Sequence, residues 1–286
     1  MTDPRYPYVM IDLPEADADE ASALLFELGA AGVEQRDGTT LARGAAGGVT
    51  LVASFERDED ARAACAELPP EWRPRVEEVV GDAWRDEWKK YFEPFRVCEG
   101  VIVRPPWREY DAAAGERVVV LEPGRAFGTG LHETTSLVAG LLARTALDGA
   151  EILDVGCGSG ILALVALALG AARARAVDVD PDAVAVTREN AERNGMSGRL
   201  RADETPVDRV DGAFPIVLAN IEAKTLVELA SGLLPRVAPG GLLVLSGILA
   251  PDVAPAQIED VRRAYASLRE QEVVRKGEWI ALAARR

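Results

Sequence analysis

The chain has 286 residues, 48% of them hydrophobic, which is enough for one large or two modest globular domains with a substantial core. Its formal net charge of −15 disfavours a surface that follows nucleic-acid phosphates, without excluding a local basic patch. Three widely separated cysteines and a single histidine give neither a disulfide framework nor a metal site such as zinc.

The sequence also carries no sign of export or membrane insertion. The N-terminal stretch MTDPRYPYV lacks the charged and apolar regions of a signal peptide. The longest apolar run, near residues 161–172, is too short to cross a membrane. We therefore expect a soluble protein of the reducing cytoplasm.

The first part of the chain, residues 1–80, predicts a small α+β domain. Its strand and helix signals alternate in the order β-α-β-β-α-β: residues 8–13, 18–28, 32–36, 49–55, 58–68 and 73–80. This order is that of the ferredoxin-like sandwich. Because no catalytic constellation occurs in it, we interpret the domain as a structural or substrate-docking module.

Residues 81–96 predict a linker helix between two domains. Aromatic side chains recur in it at helical spacing, which usually reflects packing: Trp84, Trp88, Tyr91 and Phe92. Beyond the linker, residues 97–104 and 117–121 predict a hairpin-like pair of strands.

The stretch EPGRAFGTGLHETT, residues 122–135, cannot form a regular strand because it contains three glycines. We interpret it as a ligand-covering loop that leads into the N-terminus of a helix ending near residue 145. A backbone hydrogen bond explains His132 in this loop at least as well as a catalytic role does.

The most informative stretch is EILDVGCGSG, residues 151–160, which predicts a buried strand turning sharply into a helix over a ligand. Gly156, Gly158 and Gly160 tolerate unusual dihedral angles and let a bound molecule approach the backbone. The next predicted strand ends in Asp178, about 20 residues later, where α/β folds place an acid that binds a ribose.

The glycine spacing distinguishes between two nucleoside cofactors. A dinucleotide fingerprint has glycine at the sixth position, where this chain has Ile161. Asp154, two residues before the first glycine, suits the cationic amino group of a methionine moiety. The pattern therefore favours S-adenosylmethionine.

Strands and helices continue to alternate in the last hundred residues. Strands are predicted at residues 173–178, 199–202, 214–219 and 242–246, with helices at 181–194, 224–234 and 255–267. Such alternation specifies a doubly wound, mainly parallel sheet. Two closing strands, residues 272–276 and 278–284, are too close for a crossover and must be antiparallel. This Rossmann-like α/β sheet with an antiparallel terminal hairpin is the arrangement of the class I methyltransferases.

Six motifs occur in an order and spacing typical of one family: DAWRDEWKKYFEPF (82–95), AFGTGLHETT (126–135), LDVGCGSGILAL (153–164), VDVDPDAV (177–184), LANI (218–221) and LSGIL (245–249). They resemble the methyltransferases that modify large-subunit ribosomal protein eleven. The resemblance covers nearly the whole chain and is specific, because AFGTGLHETT does not occur in methyltransferases at large. Glu122 replaces the usual Asp of that family, and Glu222 replaces a common Leu near the substrate mouth.

The resemblance implies a set of residues that contact S-adenosylmethionine: Thr135, Gly156, Asp178 as the ribose acceptor, Asn220, and the covering segment Phe127, Gly128, Thr129 and Gly130. The glycine turn adds Asp154 and Gly158 to this set. The resemblance also implies that residues 1–80 recognise the ribosomal protein and that the linker lets the catalytic domain, residues 97–286, reach more than one amine. The expected acceptors are lysine side chains and the N-terminal amine.

Asn220 is the main catalytic candidate. Methyl transfer from a sulfonium is an in-line displacement that needs alignment. A lysine with a pKa of about 10.4 must be presented neutral, which costs about 4 to 5 kcal/mol at pH 7. The carbonyl groups of Asn220 can accept hydrogen bonds from the amine and leave its lone pair directed at the methyl group.

Three alternatives stay open at this point. A nucleic-acid methyltransferase should carry a basic face, which the net charge disfavours. An NAD-dependent dehydrogenase is disfavoured by Ile161. A regulator that only binds S-adenosylmethionine would not need Asn220 or the covering loop. We therefore expect a monomeric enzyme that acts on a protein and binds neither nucleic acid nor membrane.

Overall fold

The structure is a computed structural model that describes residues 5–14, 17–36, 48–55, 57–80, 92–122 and 130–286. It divides into two compact units, residues 1–91 and 92–286. The predicted domains 1–80 and 97–286 fall in different units. Most of the predicted linker helix, residues 81–91 with Trp84, Trp88 and Tyr91, lies outside the described residues, and its residues 95 and 96 begin a strand. The linker role stays a prediction.

The described residues of the first unit form an antiparallel sheet and two α-helices: β1 (Arg5–Leu13), α1 (Ala18–Glu27), β2 (Gly32–Arg36), β3 (Val49–Ser54), α2 (Asp58–Glu67) and β4 (Arg75–Val80). The strand order is β2-β3-β1-β4. Alternate residues of β1, namely Val9, Ile11 and Leu13, are buried in a core that also contains residues of both helices. The predicted order of elements is observed, and the name ferredoxin-like stays a prediction.

The second unit begins with a small three-stranded sheet: β5 (Phe95–Cys98), β6 (Val101–Arg104) and β7 (Arg117–Val120). The predicted hairpin of residues 97–104 and 117–121 is wrong, because β6 and β7 run parallel. The antiparallel partner of β6 is β5, and Gly100 in the turn between them has a left-handed φ of 74°. Residues 105–116 then form the longer connection that a parallel pair requires.

The main sheet contains seven strands: β8 (Glu151–Val155), β9 (Arg173–Val177), β10 (Leu200–Asp203), β11 (Phe214–Asn220), β12 (Val237–Leu249), β13 (Arg269–Lys276) and β14 (Trp279–Arg285). Their order is β10-β9-β8-β11-β12-β14-β13. Strand β14 is antiparallel to both of its neighbours, and the other neighbours are parallel. The doubly wound sheet with an antiparallel terminal hairpin is thus confirmed.

Helices cover both faces of this sheet: α3 (Glu133–Ala143), α4 (Ile161–Ala168), α5 (Pro181–Arg193), α6 (Ala223–Glu228), α7 (Ala230–Leu233) and α8 (Pro255–Ala264). The helix predicted at residues 224–234 is divided into α6 and α7. One core contains Ile152 and Leu218, and the core on the opposite face contains Leu153 and Val217, as the alternation of a strand requires.

The parallel strands fix where a ligand can bind. In an open α/β sheet, ligands occupy the crevice at the carboxyl ends of the strands. The loops that follow β8, β9 and β11 meet at this edge. Within the described residues, no helix has the length and apolar character that a membrane span requires.

Candidate cofactor and substrate site

A cavity of about 760 Å³ lies at the carboxyl edge of the main sheet. Its wall brings together five residues predicted from the sequence: Thr135 of α3, Gly156 and Gly158 after β8, Asp178 after β9, and Asn220 at the end of β11. A cavity of this size accommodates a small-molecule cofactor. The sequence therefore predicted residues from four separate segments that the fold assembles in one place.

The glycine turn has the backbone that its sequence predicts. Gly156, Gly158 and Gly160 all have left-handed φ angles, of 70°, 53° and 78°. A Cβ atom on Gly156 would also lie 2.3 Å from Cγ2 of Ile221, so no side chain fits there. The turn thus exposes bare backbone to the cavity.

The carboxylate of Asp178 is directed at this turn. Its Oδ2 accepts a hydrogen bond of 2.9 Å from the Gly158 N–H, and its Oδ1 accepts one of 3.1 Å from the Asp180 N–H. Each carboxylate oxygen has a second lone pair, which leaves Asp178 able to accept hydrogen bonds from the two hydroxyls of a ribose.

We expect Asp178→Ala to weaken S-adenosylmethionine binding by about 1.5 to 3 kcal/mol, because a charged acceptor is lost. Calorimetric titration of parent and variant measures the difference. Asp180→Ala is the matched control, since Asp180 is exposed, caps α5 and is absent from the cavity wall. Equal affinity of the Asp178 variant and the parent would remove Asp178 from the site.

Asp154 is not where the sequence suggested. Instead of facing the cavity and a methionine amino group, its side chain is 1% exposed and absent from the cavity wall. Strand alternation places it on the face covered by α4, where it accepts a hydrogen bond of 3.1 Å from the Ala163 N–H in the first turn of that helix. Burial, with a smaller contribution from the charge of Asp178, raises the pKa of the Asp154 carboxyl to about 7.

This raised pKa makes stability depend on pH. The pKa of Asp154 in the folded protein exceeds the ordinary value of 3.8. The contribution of Asp154 to the free energy of unfolding is therefore fully present below about pH 3.8 and is lost as the pH rises through about 7. The free energy of unfolding of Asp154→Asn, relative to that of the parent, should therefore increase with pH between these limits. The increase should be at most about 1.4 kcal/mol per pH unit. Denaturant unfolding without cofactor at pH 5, 6, 7 and 8 checks this, and a stability difference independent of pH would contradict it.

Asn220 ends β11 opposite Ser246 of β12. Its side chain is half-buried, lines the cavity and makes no hydrogen bond to another described residue. The next residue, Ile221, packs against Gly156 on one side. On the other side lies Gly247, where a Cβ atom would be 2.2 Å from the Ile221 carbonyl oxygen. Two glycines from distant segments thus fix the backbone beside Asn220.

Sequence reasoning missed a second set of residues, on the inner face of α5. Thr187 and Asn190 are both 0% exposed. The Thr187 hydroxyl donates to the Gly158 carbonyl at 2.9 Å, and the Asn190 amide donates to the Ser159 carbonyl at 3.0 Å. The sequence pattern that could have identified them is a pair of polar residues, three positions apart, on a helix face that is otherwise apolar. These hydrogen bonds stabilise the backbone of the glycine turn.

The same helix face also holds the end of β7. The Asn190 amide oxygen accepts a hydrogen bond of 3.3 Å from the Glu122 N–H, and the Asn194 amide bonds both the N–H and the carbonyl of Val120, at 2.8 and 2.7 Å. One helix therefore connects the glycine turn to residues 120–122.

The predicted covering segment is described only in part, since Phe127, Gly128 and Thr129 lie outside the described residues. Gly130 has a left-handed φ of 83° and packs against Phe95 and Ile161, and it does not line the cavity. His132 caps α3: its Nδ1 lies 3.4 Å from the Thr134 N–H and 2.8 Å from the Thr134 hydroxyl. This is the backbone-bonding role weighed for His132 from the sequence.

The charged side chains in the described part of the cavity wall are all acidic. Among the described residues that line it, four are carboxylates and none is lysine or arginine: Asp178, Asp208, Glu222 and Glu228. Such a wall favours cations, and S-adenosylmethionine carries a sulfonium and an ammonium group. Within the described part of the chain, no group of three or more histidine, cysteine or acidic side chains is arranged to hold a metal ion.

Comparisons with known proteins show the family of this chain. The model of the family described as Ribosomal protein L11 methyltransferase (PrmA) matches residues 5–286. The ribosomal protein L11 methyltransferase of Sorangium cellulosum is 56% identical over 273 residues, which are 93% of this chain and 84% of that protein. That of Citrifermentans bemidjiense is 41% identical over 219 residues, which are 74% of this chain and 70% of that protein.

A solved structure is similar as well. The crystal structure of a ribosomal protein L11 methylase from Lactobacillus delbrueckii subsp. bulgaricus superposes with a TM-score of 0.61 at 30% identity, covering 68% of this chain and 98% of that one. The fold is that of class I methyltransferases, for which S-adenosylmethionine is the methyl donor. With its sequence matched from residue 5 to residue 286, the chain belongs to the ribosomal protein L11 methyltransferase family.

Proposed function

We propose that this chain transfers methyl groups from S-adenosylmethionine to lysine side chains and the N-terminal amine of ribosomal protein L11, with Asn220 orienting the accepting amine. It acts as a monomer in the cytoplasm and makes no direct contact with nucleic acid. The observation that carries the proposal is the position of Asn220. Its side chain, which makes no hydrogen bond to another described residue, lies in the same cavity wall as the glycine turn and Asp178.

The cofactor fits the residues present. Gly156 leaves backbone open to a ligand, Asp178 offers acceptors to a ribose, and Thr135 and Gly158 complete the same wall. When bound, S-adenosylmethionine supplies an already activated methyl group. The task left to the protein is to deliver a neutral amine in line with that group.

The exposed acidic residues of the cavity and its buried apolar wall have different effects on the charge of the amine. Asp208, Glu222 and Glu228 are exposed, so their charges act through water and attract a basic substrate to the cavity without forming a buried ion pair with the target lysine. The inner wall near Ile161 and Leu162 is apolar and buried, which lowers the pKa of an amine that enters. Asn220 then accepts hydrogen bonds from the neutral form, which it can do without carrying charge.

We assign substrate recognition to the first unit. Its sheet and two helices form a separate compact body, and the cavity residues all follow residue 130. Docking on one unit and chemistry on the other would let the same catalytic cavity serve more than one amine of the substrate.

Incubation of the purified protein with labelled S-adenosylmethionine and purified L11, followed by mass spectrometry of L11 peptides, tests the proposal. Methyl groups on lysine and N-terminal amines are expected. Absence of label from L11, or label on other atoms, would overturn it.

A further inference from the structure

A second cavity, of about 440 Å³, lies next to the cofactor cavity as a groove between α6 and α8. We call it the α6–α8 groove. Glu222 and Glu228 line both cavities. Because they share two wall residues, the groove and the cofactor cavity have a common rim.

Glu222 differs from the other charged residues of the groove. Glu228 lies 4.0 Å from Lys224, and Asp260 lies 2.8 Å from Arg263, so these carboxylates have partners within the protein. Glu222 occupies the position before α6, and its backbone carbonyl accepts a hydrogen bond from the Leu226 N–H. Its side chain makes no hydrogen bond to that helix, and no ion pair joins it to a described residue. Its exposed carboxylate is available to a cation from outside.

The backbone at Glu222 is also held in place. It follows Ile221, whose carbonyl oxygen is confined by Gly247, and it lies two residues after Asn220. An amine held at Asn220 belongs to a polypeptide that must leave the cavity across its rim. At the Glu222 side, that path leads into the α6–α8 groove.

We propose that the α6–α8 groove binds the polypeptide segment that flanks the target lysine, and that Glu222 pairs with a cationic side chain of that segment. The inference rests on the proposed function. Glu222 serves a flanking cation better than the target amine itself, since a carboxylate beside the target would raise its pKa and oppose transfer. Charge complementarity and continuity with the cofactor cavity thus select a basic segment of the protein substrate.

Two variants test the two parts of the proposal with full-length L11 as substrate. Glu222→Gln removes the charge and keeps the shape, and it should raise the KM for L11 about two- to fivefold, the range of an exposed ion pair. Ala264→Trp fills the groove from α8 and should raise this KM by about tenfold or more. S-adenosylmethionine affinity should stay within twofold in both. The parent KM should rise with salt more steeply than that of Glu222→Gln.

Two matched controls lie outside the α6–α8 groove. Ala256 lies on α8, is exposed and is absent from the groove, so Ala256→Trp adds the same bulk elsewhere. Glu192 is an exposed acid of α5, and Glu192→Gln removes the same charge away from the rim. Both controls should leave the KM for L11 unchanged. A thermal melt confirms that each variant is folded, and Glu222→Gln, a surface change, keeps the test valid if Ala264→Trp does not fold.

The outcomes separate this inference from the proposed function. A parent protein that does not methylate L11 overturns the function. A parent that methylates L11, with folded groove variants whose KM values match the controls, overturns the inference alone. A loss confined to S-adenosylmethionine affinity would also overturn it, since Glu222 would then belong to the cofactor site.

Discussion

Asn220→Ala is expected to lower the turnover number by about 100-fold or more, equivalent to about 2.7 kcal/mol of transition-state stabilisation. The reason is geometric: the side chain of Asn220 lies at the strand end in the cavity wall without a hydrogen-bond partner among the described residues. Removing it takes away the acceptor that we propose aligns the neutral amine, while the glycine turn and Asp178, the proposed cofactor contacts, are left unchanged. Affinity for S-adenosylmethionine should therefore fall less than turnover.

Single-turnover rates at saturating cofactor, with calorimetric affinities, separate these effects. The residual activity of Asn220→Ala should still rise with pH toward the lysine pKa, because the amine must lose its proton in either protein. Thr225→Ala is the control, since Thr225 lines the same cavity from α6. If the variant loses only cofactor affinity and turns over normally when saturated, Asn220 is a cofactor ligand and another group orients the amine.

Gly247→Ala should lower the turnover number nearly as much as Asn220→Ala does, although Gly247 does not line the cavity. A Cβ atom there would lie 2.2 Å from the Ile221 carbonyl oxygen, and real contacts of this kind stay above 3.0 Å. The backbone at Ile221 must therefore move by close to 1 Å, and Asn220 moves with it. A misplacement of that size can cost on the order of 100-fold in rate.

A second glycine of β12 isolates this clash from backbone strain. Gly240 and Gly247 have similar left-handed φ angles, of 74° and 86°, but a Cβ atom on Gly240 meets nothing within 4 Å. Gly240→Ala should lose about 1 to 2 kcal/mol of stability and keep its turnover. Gly247→Ala should lose more stability and the turnover as well. Equal turnover in the two variants would show that Ile221 does not position Asn220.

The sequence was most informative where a short pattern dictates local backbone. The turn with Gly156 and Gly158 and the acid Asp178 at the next strand end follow from such patterns, and the structure brings them together. The alternation of strands and helices likewise led to the parallel sheet and its terminal hairpin, because crossover length decides strand direction.

Features that depend on distant contacts were not predictable in the same way. The motif LSGIL contains Gly247, but only the fold shows that this glycine meets Ile221. The orientation of Asp154 depends on which sheet face α4 covers, and a local pattern does not specify that. The parallel pairing of β6 with β7 depends on the path of residues 105–116, which carry no regular signal.

The polar face of α5 has a consequence for how the molecule opens. Thr187 and Asn190 bond the glycine turn, and Asn190 and Asn194 bond residues 120–122. Local unfolding occurs in contiguous cooperative units, and we expect two segments hydrogen-bonded to the same helix to belong to one such unit. The amide protons of the turn and of Val120 and Glu122 should therefore exchange with solvent at a common opening free energy, so that the turn in the cavity wall opens together with residues 120–122 and not before them.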